Sequence, residues 1–330
     1  MLHSRIVGTG SYVPARAVTN AEVGLSLGLD AEAVYRRTGI RLRHWADAEQ
    51  ATSDLAEQAA RAACEAAGLP PSSVDAIVLS TTSPDMVFPS SACLLQHRLG
   101  AARAAAFDVA ASCSGFLYAL SMADRLIRGG QAQRCLVVAA EVKSRFLDAQ
   151  DVATAMLFGD GAGAALVIGD STGGPHGGRL LGVRLYADGA RHGLIRMAAG
   201  GSRQPTTAQT VRDNRHVLTM QGGPLFRLAV KRLAEAVAEM LKEFGVTMEE
   251  LGPVIFHQAN GRLLAMLRKR LGIPPEKMYS VIEHIGNTSS ASLPIALDRA
   301  VREGRLADRD PVLLGAVGGG LTWATALLRW

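Results

Sequence analysis

The sequence predicts an α/β protein written twice, each half a mixed β-sheet covered by helices. Three observations carry that reading. A helix–glycine–strand–helix order over residues 57–100 returns over residues 228–272. The strand candidates are short continuous apolar runs rather than alternating ones, which is the pattern of strands buried on both faces. Other pairs of elements keep nearly the same spacing, about 172 to 178 residues, as expected of an internal repeat.

Taken in order, Ile6-Val7-Gly8 opens the first half as Val183-Arg184-Leu185 opens the second. An Ala-rich helix from Glu57 to Ala67 stops at Gly68-Leu69-Pro70-Pro71, and a strand Ala76–Ser80 and a helix ending Arg98-Leu99-Gly100 follow. Glycine just past the last periodic residue is a helix stop, because it takes the left-handed conformation at no steric cost. The second half answers with a helix from Leu228 to Phe244, Gly245-Val246, a strand from Val254 to His257, and a helix ending Arg270-Leu271-Gly272. Cys135–Glu141 and Pro311–Val317 form a further matching pair of strands. Strands separated by helices point to mixed or parallel sheets. The division falls as residues 1–172, carrying a cysteine nucleophile candidate, and 173–330, carrying candidate His and Asn partners.

Two stretches are richer in polar and turn residues. Residues 170–225 are rich in Gly, Ser, Thr, Arg and Gln, with turns such as Ala187-Asp188-Gly189, and read as the bridge between halves plus surface loops. Residues 15–54 read as an insertion in the first half, in which Arg36-Arg37-Thr38-Gly39-Ile40-Arg41 is too basic and polar for core.

The bulk composition narrows the class. The chain has 330 residues, 48% of them hydrophobic and 20% charged, and no uncharged apolar run long enough to span a bilayer. No signal-peptide pattern opens it. Cysteines 64, 93, 113 and 135 show no paired spacing, so a reduced, disulfide-free, cytoplasmic protein is expected. A net charge of +5 fits either an arginine-rich composition or an acidic macromolecular partner. No basic run is interleaved with aromatics, so neither nucleic acid nor membrane is an expected partner.

Four places could do chemistry. Cys113 lies in Phe107-Asp-Val-Ala-Ala-Ser-Cys113-Ser-Gly115, where an apolar run meets small residues and then a helical pattern. A thiol at a helix N-terminus faces free N–H groups and a partial positive charge, which favour the nucleophilic thiolate. His257 ends a strand ahead of Gln258-Ala259-Asn260, a placement that serves either catalysis or structure. Asn287, in Gly286-Asn287-Thr288-Ser289, sits at the turn that the repeat makes equivalent to the Cys113 turn, as a reactive amide or as a helix cap. Gly318-Gly319-Gly320 lets backbone approach a reacting centre and offer N–H donors to an oxyanion. The glycines at 8 and 10, and at 159, 161 and 163, lack the spacing of a dinucleotide loop.

With these elements in place, the chain resembles the thiolase-fold condensing enzymes, and most closely the β-ketoacyl-[acyl-carrier-protein] synthase III family. The resemblance is carried nearly end to end by Gly8-Thr-Gly10-Ser-Tyr-Val-Pro14, Arg37-Thr-Gly-Ile-Arg41, Ala106–Phe116 around Cys113, Phe158-Gly-Asp-Gly-Ala-Gly163, His257-Gln-Ala-Asn260, Gly286-Asn-Thr-Ser289 and Gly318-Gly-Gly-Leu-Thr-Trp323. Each is weak alone; in this order they are specific. The resemblance implies a duplicated thiolase-like fold, two mixed sheets layered α-β-α-β-α. It implies that Cys113 accepts the acyl group, and that His257 and Asn287 bind the thioester carbonyl of a malonyl extender. The N–H groups of Cys113 and Gly319 would form the oxyanion hole. Phe88 would enter the acyl pocket of a second copy, implying a homodimer. Arg227, Arg262 and Lys269 would dock an acyl carrier protein, with Arg268 and Arg270 on the same face, unless that face is only solvated surface. No metal or other cofactor is implied, since acyl and malonyl groups arrive as thioesters of coenzyme A or of a carrier's phosphopantetheine.

Departures within the family matter too. The loop 316–320 has no cysteine, unlike degradative thiolases, and the His257/Asn287 pair favours the initiating type over elongating enzymes with two histidines. Relatives that only transfer an acyl group to oxygen or nitrogen stay open; an inactive subunit would be expected to lack Cys113. Ala33 and Val152 stand where acetyl-CoA-primed members carry the Trp and Arg that sandwich the adenine. The expected primer is therefore not simply acetyl-CoA, or it arrives on a carrier. Arg43-His44-Trp45 and Ala198–Pro205 resemble variants primed by a short dicarboxylic acyl group, such as the glutaryl-primed route to the pimeloyl chain of biotin. Arg145 is then a candidate donor to the primer carboxylate, or an ordinary surface arginine. Polyketide-starter and quinolone-forming relatives are further expectations.

Overall fold

The structure, a computed structural model, describes residues 2–171 and 177–330. The division placed at 172/173 lies outside the described residues. Ten strands make the main sheet: β1 (His3–Tyr12), β2 (Ala76–Ser80), β3 (Ala105–Val109), β4 (Arg134–Glu141), β5 (Gly161–Asp170), β6 (Gly178–Ala187), β7 (Val254–Phe256), β8 (Met278–Tyr279), β9 (Pro311–Gly318) and β10 (Thr322–Arg329). They lie in the order β8-β7-β9-β10-β6-β1-β5-β4-β2-β3.

That order is one arrangement used twice. In the first half β1 pairs antiparallel with β5, β5 antiparallel with β4, and β4, β2 and β3 run parallel. The second half repeats it as β6, β10, β9, β7 and β8 with the same senses. The two expected mixed sheets are thus present as five-stranded halves. They meet edge to edge through Arg5↔Arg179 and Ile6↔Gly178, so the ladder runs through both.

Helices cover the halves and fill the space between them. The helix Thr52–Ala66 lies on β1, β4 and β5 and buries Ala56, Ala59, Ala60 and Ala63. A Cβ on Gly8 or Gly10 of β1 would fall 2.2 Å from the Ala63 carbonyl or 2.3 Å from that of Ala59. These two glycines exist for close helix–sheet approach, which explains why they fit no phosphate loop. The helix begins earlier than Glu57 because Asp54 accepts the Ala51 N–H at 2.7 Å and starts the first turn. Helices Gly115–Arg128 and Ser292–Arg302 lie between the halves, and Phe116, Leu117, Leu120, Leu293, Ile295 and Leu297 are fully buried there. Each such side chain contributes about 1.5–3 kcal/mol of burial. Helices Gly222–Phe244 and Gly261–Leu271 cover the outer face of the second half. The layers therefore read α-β-α-β-α.

The stretch 15–54 folds as a ribbon, Arg16–Thr19 with Leu42–Trp45, around the helices Asn20–Leu27 and Ala31–Thr38. Part of it is core after all. Thr38, Ile40 and Arg43 are fully buried, while Arg36, Arg37 and Arg41 turn outward. Polarity summed over the segment hid an inward-facing set. The Arg43 guanidinium donates to Asn20 Oδ1 (2.8 Å) and to the Met156 carbonyl (2.8 Å), and burial pulls its pKa down to about 10. Among the described residues, no helix is long and apolar enough to cross a membrane.

Candidate active site

Cys113 sits in a 3₁₀ turn, Ser112–Ser114, between the end of β3 and the helix Gly115–Arg128, and is 7% exposed. The second half places its own 3₁₀ turn, Ser289–Ala291, ahead of the helix Ser292–Arg302. Both turns start on a non-glycine residue in the left-handed region, Ser112 at φ 49° and Ser289 at φ 53°. Such strain is costly and collects at functional turns. The two turns meet: Cys113 Sγ lies 3.5 Å from Ser289 Oγ.

Behind that contact is a buried ionic cluster the sequence reading missed. Ser289 and Ser290 hydroxyls donate to Glu141 Oε1 at 3.0 and 2.9 Å. Ser83 Oγ donates to Oε2 at 2.6 Å, and Lys143 Nζ lies 3.1 Å from the same oxygen. Burial pushes the Glu141 carboxyl up, but Lys143, Ser83 and the Thr82 N–H outweigh it and hold it below the usual range. The available signal was a charged residue closing the apolar strand Cys135–Glu141, followed by Lys143.

The thiol itself departs from expectation. A helix start favours thiolate, yet burial pushes the Cys113 thiol up, Glu141 adds to the rise, and Ser289 and Lys143 act against it. Desolvation wins over the helix terminus in the resting site.

His257 follows the last residue of β7, anchored by its N–H to the Gly315 carbonyl at 2.8 Å. Its Nδ1 is 2.6 Å from Ser292 Oγ, which also accepts the Gln258 N–H at 3.1 Å. Burial pulls the imidazole down to about 3, so it is neutral. Asn287 uses Oδ1 to accept the Ser289 N–H at 2.9 Å, and its backbone is clamped by Leu157 and Gly159. That bond closes a local turn into the segment Ser289–Ala291, whose cap position is Thr288. Asn287 Nδ2 is left over. Among the described residues, neither His257 Nε2 nor Asn287 Nδ2 has a hydrogen-bond partner, and both residues line one cavity with Cys113, Gly318 and Gly319.

That cavity is about 250 Å³ and opens between the helices Gly222–Phe244 and Gly261–Leu271, with Leu225, Phe226 and Leu263 in its wall. A second cavity, about 280 Å³, also reaches Cys113 and is lined by Thr82, Ser112, Lys143, Ser289 and Gly319; Cys113, Phe158, Ile195 and Gly319 border both. Gly318 presses on the Cys113 turn, since a Cβ there would sit 2.6 Å from the Cys113 nitrogen. Among the described residues, the N–H groups of Cys113 and Gly319 have no acceptor.

Of the other expected residues, Arg227, Arg262 and Lys269 are exposed on the two helices that flank the first cavity. Phe88 is 85% exposed at the tip of an apolar loop with Met86 and Val87, and lines neither cavity of its own chain. Arg145 is placed as the surface-arginine alternative expects. Its Nη2 donates to the carbonyls of Asp47, Ala48 and Gln50, which ties it to a surface loop. Lys143, two residues earlier, is the cation that reaches the site.

Comparison with known proteins agrees with this geometry. The family profile of 3-oxoacyl-[acyl-carrier-protein] synthase III matches residues 107–189, and that of its C-terminal part matches residues 241–330. A beta-ketoacyl-[acyl-carrier-protein] synthase III from Rhizorhabdus wittichii is 46% identical over 330 residues, 100% of both chains. The crystal structure of 3-oxoacyl-[acyl-carrier-protein] synthase III from Aquifex aeolicus VF5 superposes with a TM-score of 0.91 at 40% identity, covering 99% of this chain and 100% of that one. The priming beta-ketosynthase of the R1128 polyketide pathway does so with 0.90 at 37% identity, covering 99% and 96%. A repeated thiolase-type sheet, a cysteine at the turn where its halves meet, and identity of this order along the whole length make the chain a member of the 3-oxoacyl-[acyl-carrier-protein] synthase III family.

Proposed function

We propose that the chain joins an acyl primer, held as a thioester on Cys113, to the two-carbon unit of malonyl-acyl-carrier-protein, releasing CO₂ and giving a β-ketoacyl-acyl-carrier-protein. The observation that carries this reading is the pair of unpartnered donors, His257 Nε2 and Asn287 Nδ2, in the cavity that ends on Cys113.

In the first half-reaction Cys113 Sγ attacks the primer carbonyl. The oxyanion accepts the N–H groups of Cys113 and Gly319, the bond to the carrier sulfur breaks, and the thiol proton leaves with the carrier thiol. In the second, the malonyl thioester oxygen accepts hydrogen bonds from His257 and Asn287. The C–CO₂ bond breaks, its electron pair forms the enolate, and the enolate carbon attacks the acyl-Cys113 carbonyl. The new C–C bond forms, the bond to Cys113 breaks, and the departing thiolate takes a proton from water. Losing CO₂ supplies the carbanion without a strong base, so neutral donors in a water-poor site suffice. A His257 kept neutral by burial suits that task. Ser292 supports it by donating to Nδ1, which leaves the proton on Nε2. No cofactor enters, because the thioesters carry their own activation.

The primer is not simply acetyl-CoA, or it arrives on a carrier. Ala33 and Val152 supply neither stacking plane for an adenine, each worth about 1–2 kcal/mol where desolvated. The exposed Met86-Val87-Phe88 loop supports a homodimer in which Phe88 closes the other copy's acyl chamber. The basic residues Arg227, Arg262 and Lys269 support docking of an acidic carrier in the cytoplasm.

The test is CO₂ release from malonyl-carrier, read alongside the intact mass of the enzyme. The reading expects an acyl adduct on Cys113 and malonyl-dependent CO₂. An adduct without CO₂ release would turn the assignment to simple acyl transfer, and no adduct from any thioester would defeat it.

A further inference from the structure

We infer that the second cavity beside Cys113 is a primer chamber built for an acyl chain ending in a carboxylate, and that Lys143 receives that end. The inference rests on the condensing reading and names its substrate class.

Cys113 lies where two cavities meet. The one lined by His257 and Asn287 has the donors an extender needs, which leaves the other for the chain already on sulfur. At about 280 Å³, and ~30 Å³ per water-sized group, it accommodates on the order of nine such groups, a short acyl chain. Its wall is mixed: Ala110, Phe158, Ile195, Met197 and Leu218 give it apolar sides, as an acyl chain needs, and polar groups are set among them. Lys143 lines it while only 6% exposed, Thr82, Ser112 and Ser289 add hydroxyls, and Arg196 and His192 stand at its exposed side. No Asp or Glu lines it among the described residues.

The Lys143 ammonium has three N–H donors. One faces Glu141 Oε2 at 3.1 Å and one Thr82 Oγ1 at 2.5 Å, which leaves a third for the cavity. Glu141 is meanwhile saturated by the hydroxyls of Ser83, Ser289 and Ser290, so it does not consume the whole cation. A buried ammonium with a spare donor, in a chamber without an acid, is matched by a terminal carboxylate. A methyl-ended chain would leave that donor desolvated and unpaired, which disfavours it.

Loading is ordinary thioester exchange. Cys113 Sγ bonds the acyl carbon, the carbon–sulfur bond to the carrier thiol breaks, and the thiol proton passes to the departing sulfur.

The experiment measures Cys113 acylation rates by intact mass with matched thioesters, glutaryl against hexanoyl and succinyl against butyryl. The expected half-acid to monoacid ratio is at least tenfold in the wild type. It should fall by more than tenfold in the double variant E141Q/K143M, which removes both buried charges together. Reading a ratio cancels any general loss of rate, and the wild-type ratio decides alone if the variant fails to fold. Ready adducts with a ratio at or below one, or a ratio unchanged in the double variant, would overturn this inference while leaving the condensing reading intact. No adduct from any thioester would overturn both.

Discussion

His257 is neutral because it is buried, and that fixes both its chemistry and its pH signature. Its pKa falls to about 3 from the ordinary 6.5, so it stays neutral across the working range rather than titrating. The pH profile of CO₂ release is therefore expected to show no limb near 6.5, and a limb that vanishes in His257→Gln would contradict this. The same shift makes folding acid-sensitive. The depressed pKa contributes stability that is fully present above 6.5 and lost as pH falls toward 3. Urea midpoints taken from pH 7 down to pH 4 should fall further for the wild type than for His257→Gln. Ser292 is a positioning residue for this imidazole, at 2.6 Å from Nδ1. Ser292→Ala frees the tautomer and should slow decarboxylation by on the order of 10- to 100-fold, while Cys113 acylation changes far less. Equal losses in both steps would mean that Ser292 merely supports the fold. Cys113, His257 and Asn287 were legible because each closes a strand or turn beside glycines and small residues. Lys143 was not, because Arg145 offers the same charge two residues on and only the fold shows which cation points inward.

The Cys113 turn is a paired element. Ser112 and Ser289 share one left-handed conformation in equivalent places of the two halves, and their turns touch through Cys113 and Ser289. The spacing of the repeat revealed this equivalence in sequence, since it rests on glycines and apolar runs that recur at nearly constant distance. The strain was not legible: serine carries no sign of a positive φ, which the surrounding structure imposes. The end of β9 then sets the turn's position, because Gly318 lies against the Cys113 nitrogen with no room for a side chain. Gly318→Ala should push the turn and misplace Sγ against its N–H donors. A displacement near 1 Å costs about 10²-fold. Acylation of Cys113 is the step that should fall, and the overpacking should cost about 1–3 kcal/mol and lower the melting temperature by a few degrees. A variant that acylates at the wild-type rate would show that the turn yields freely and that the contact sets nothing.

At the scale of the molecule, the helices Gly222–Phe244 and Gly261–Leu271 do two things at once. Their inner sides wall the first cavity, and their outer sides carry Arg227, Arg262 and Lys269. None of these three has an acidic partner among the described residues, so their charge faces outward unspent. A carrier protein held there would present its prosthetic arm at the mouth of the cavity that ends on Cys113. Such attraction acts across solvent and is screened over about 10 Å at 0.1 M salt, whereas the chemistry inside the cavity is not. Raising salt from about 0.05 M to about 0.5 M should therefore cut kcat/KM several-fold for carrier-bound substrates and leave a small pantetheine thioester nearly unchanged. Reversing charge with Arg262→Glu and Lys269→Glu should lower the carrier rate at low salt and flatten its salt dependence. The small thioester serves as the internal reference, since it shares every step after docking. If both substrates lost rate in parallel, the salt would be acting on the fold or the chemistry, and the basic face would be solvated surface only.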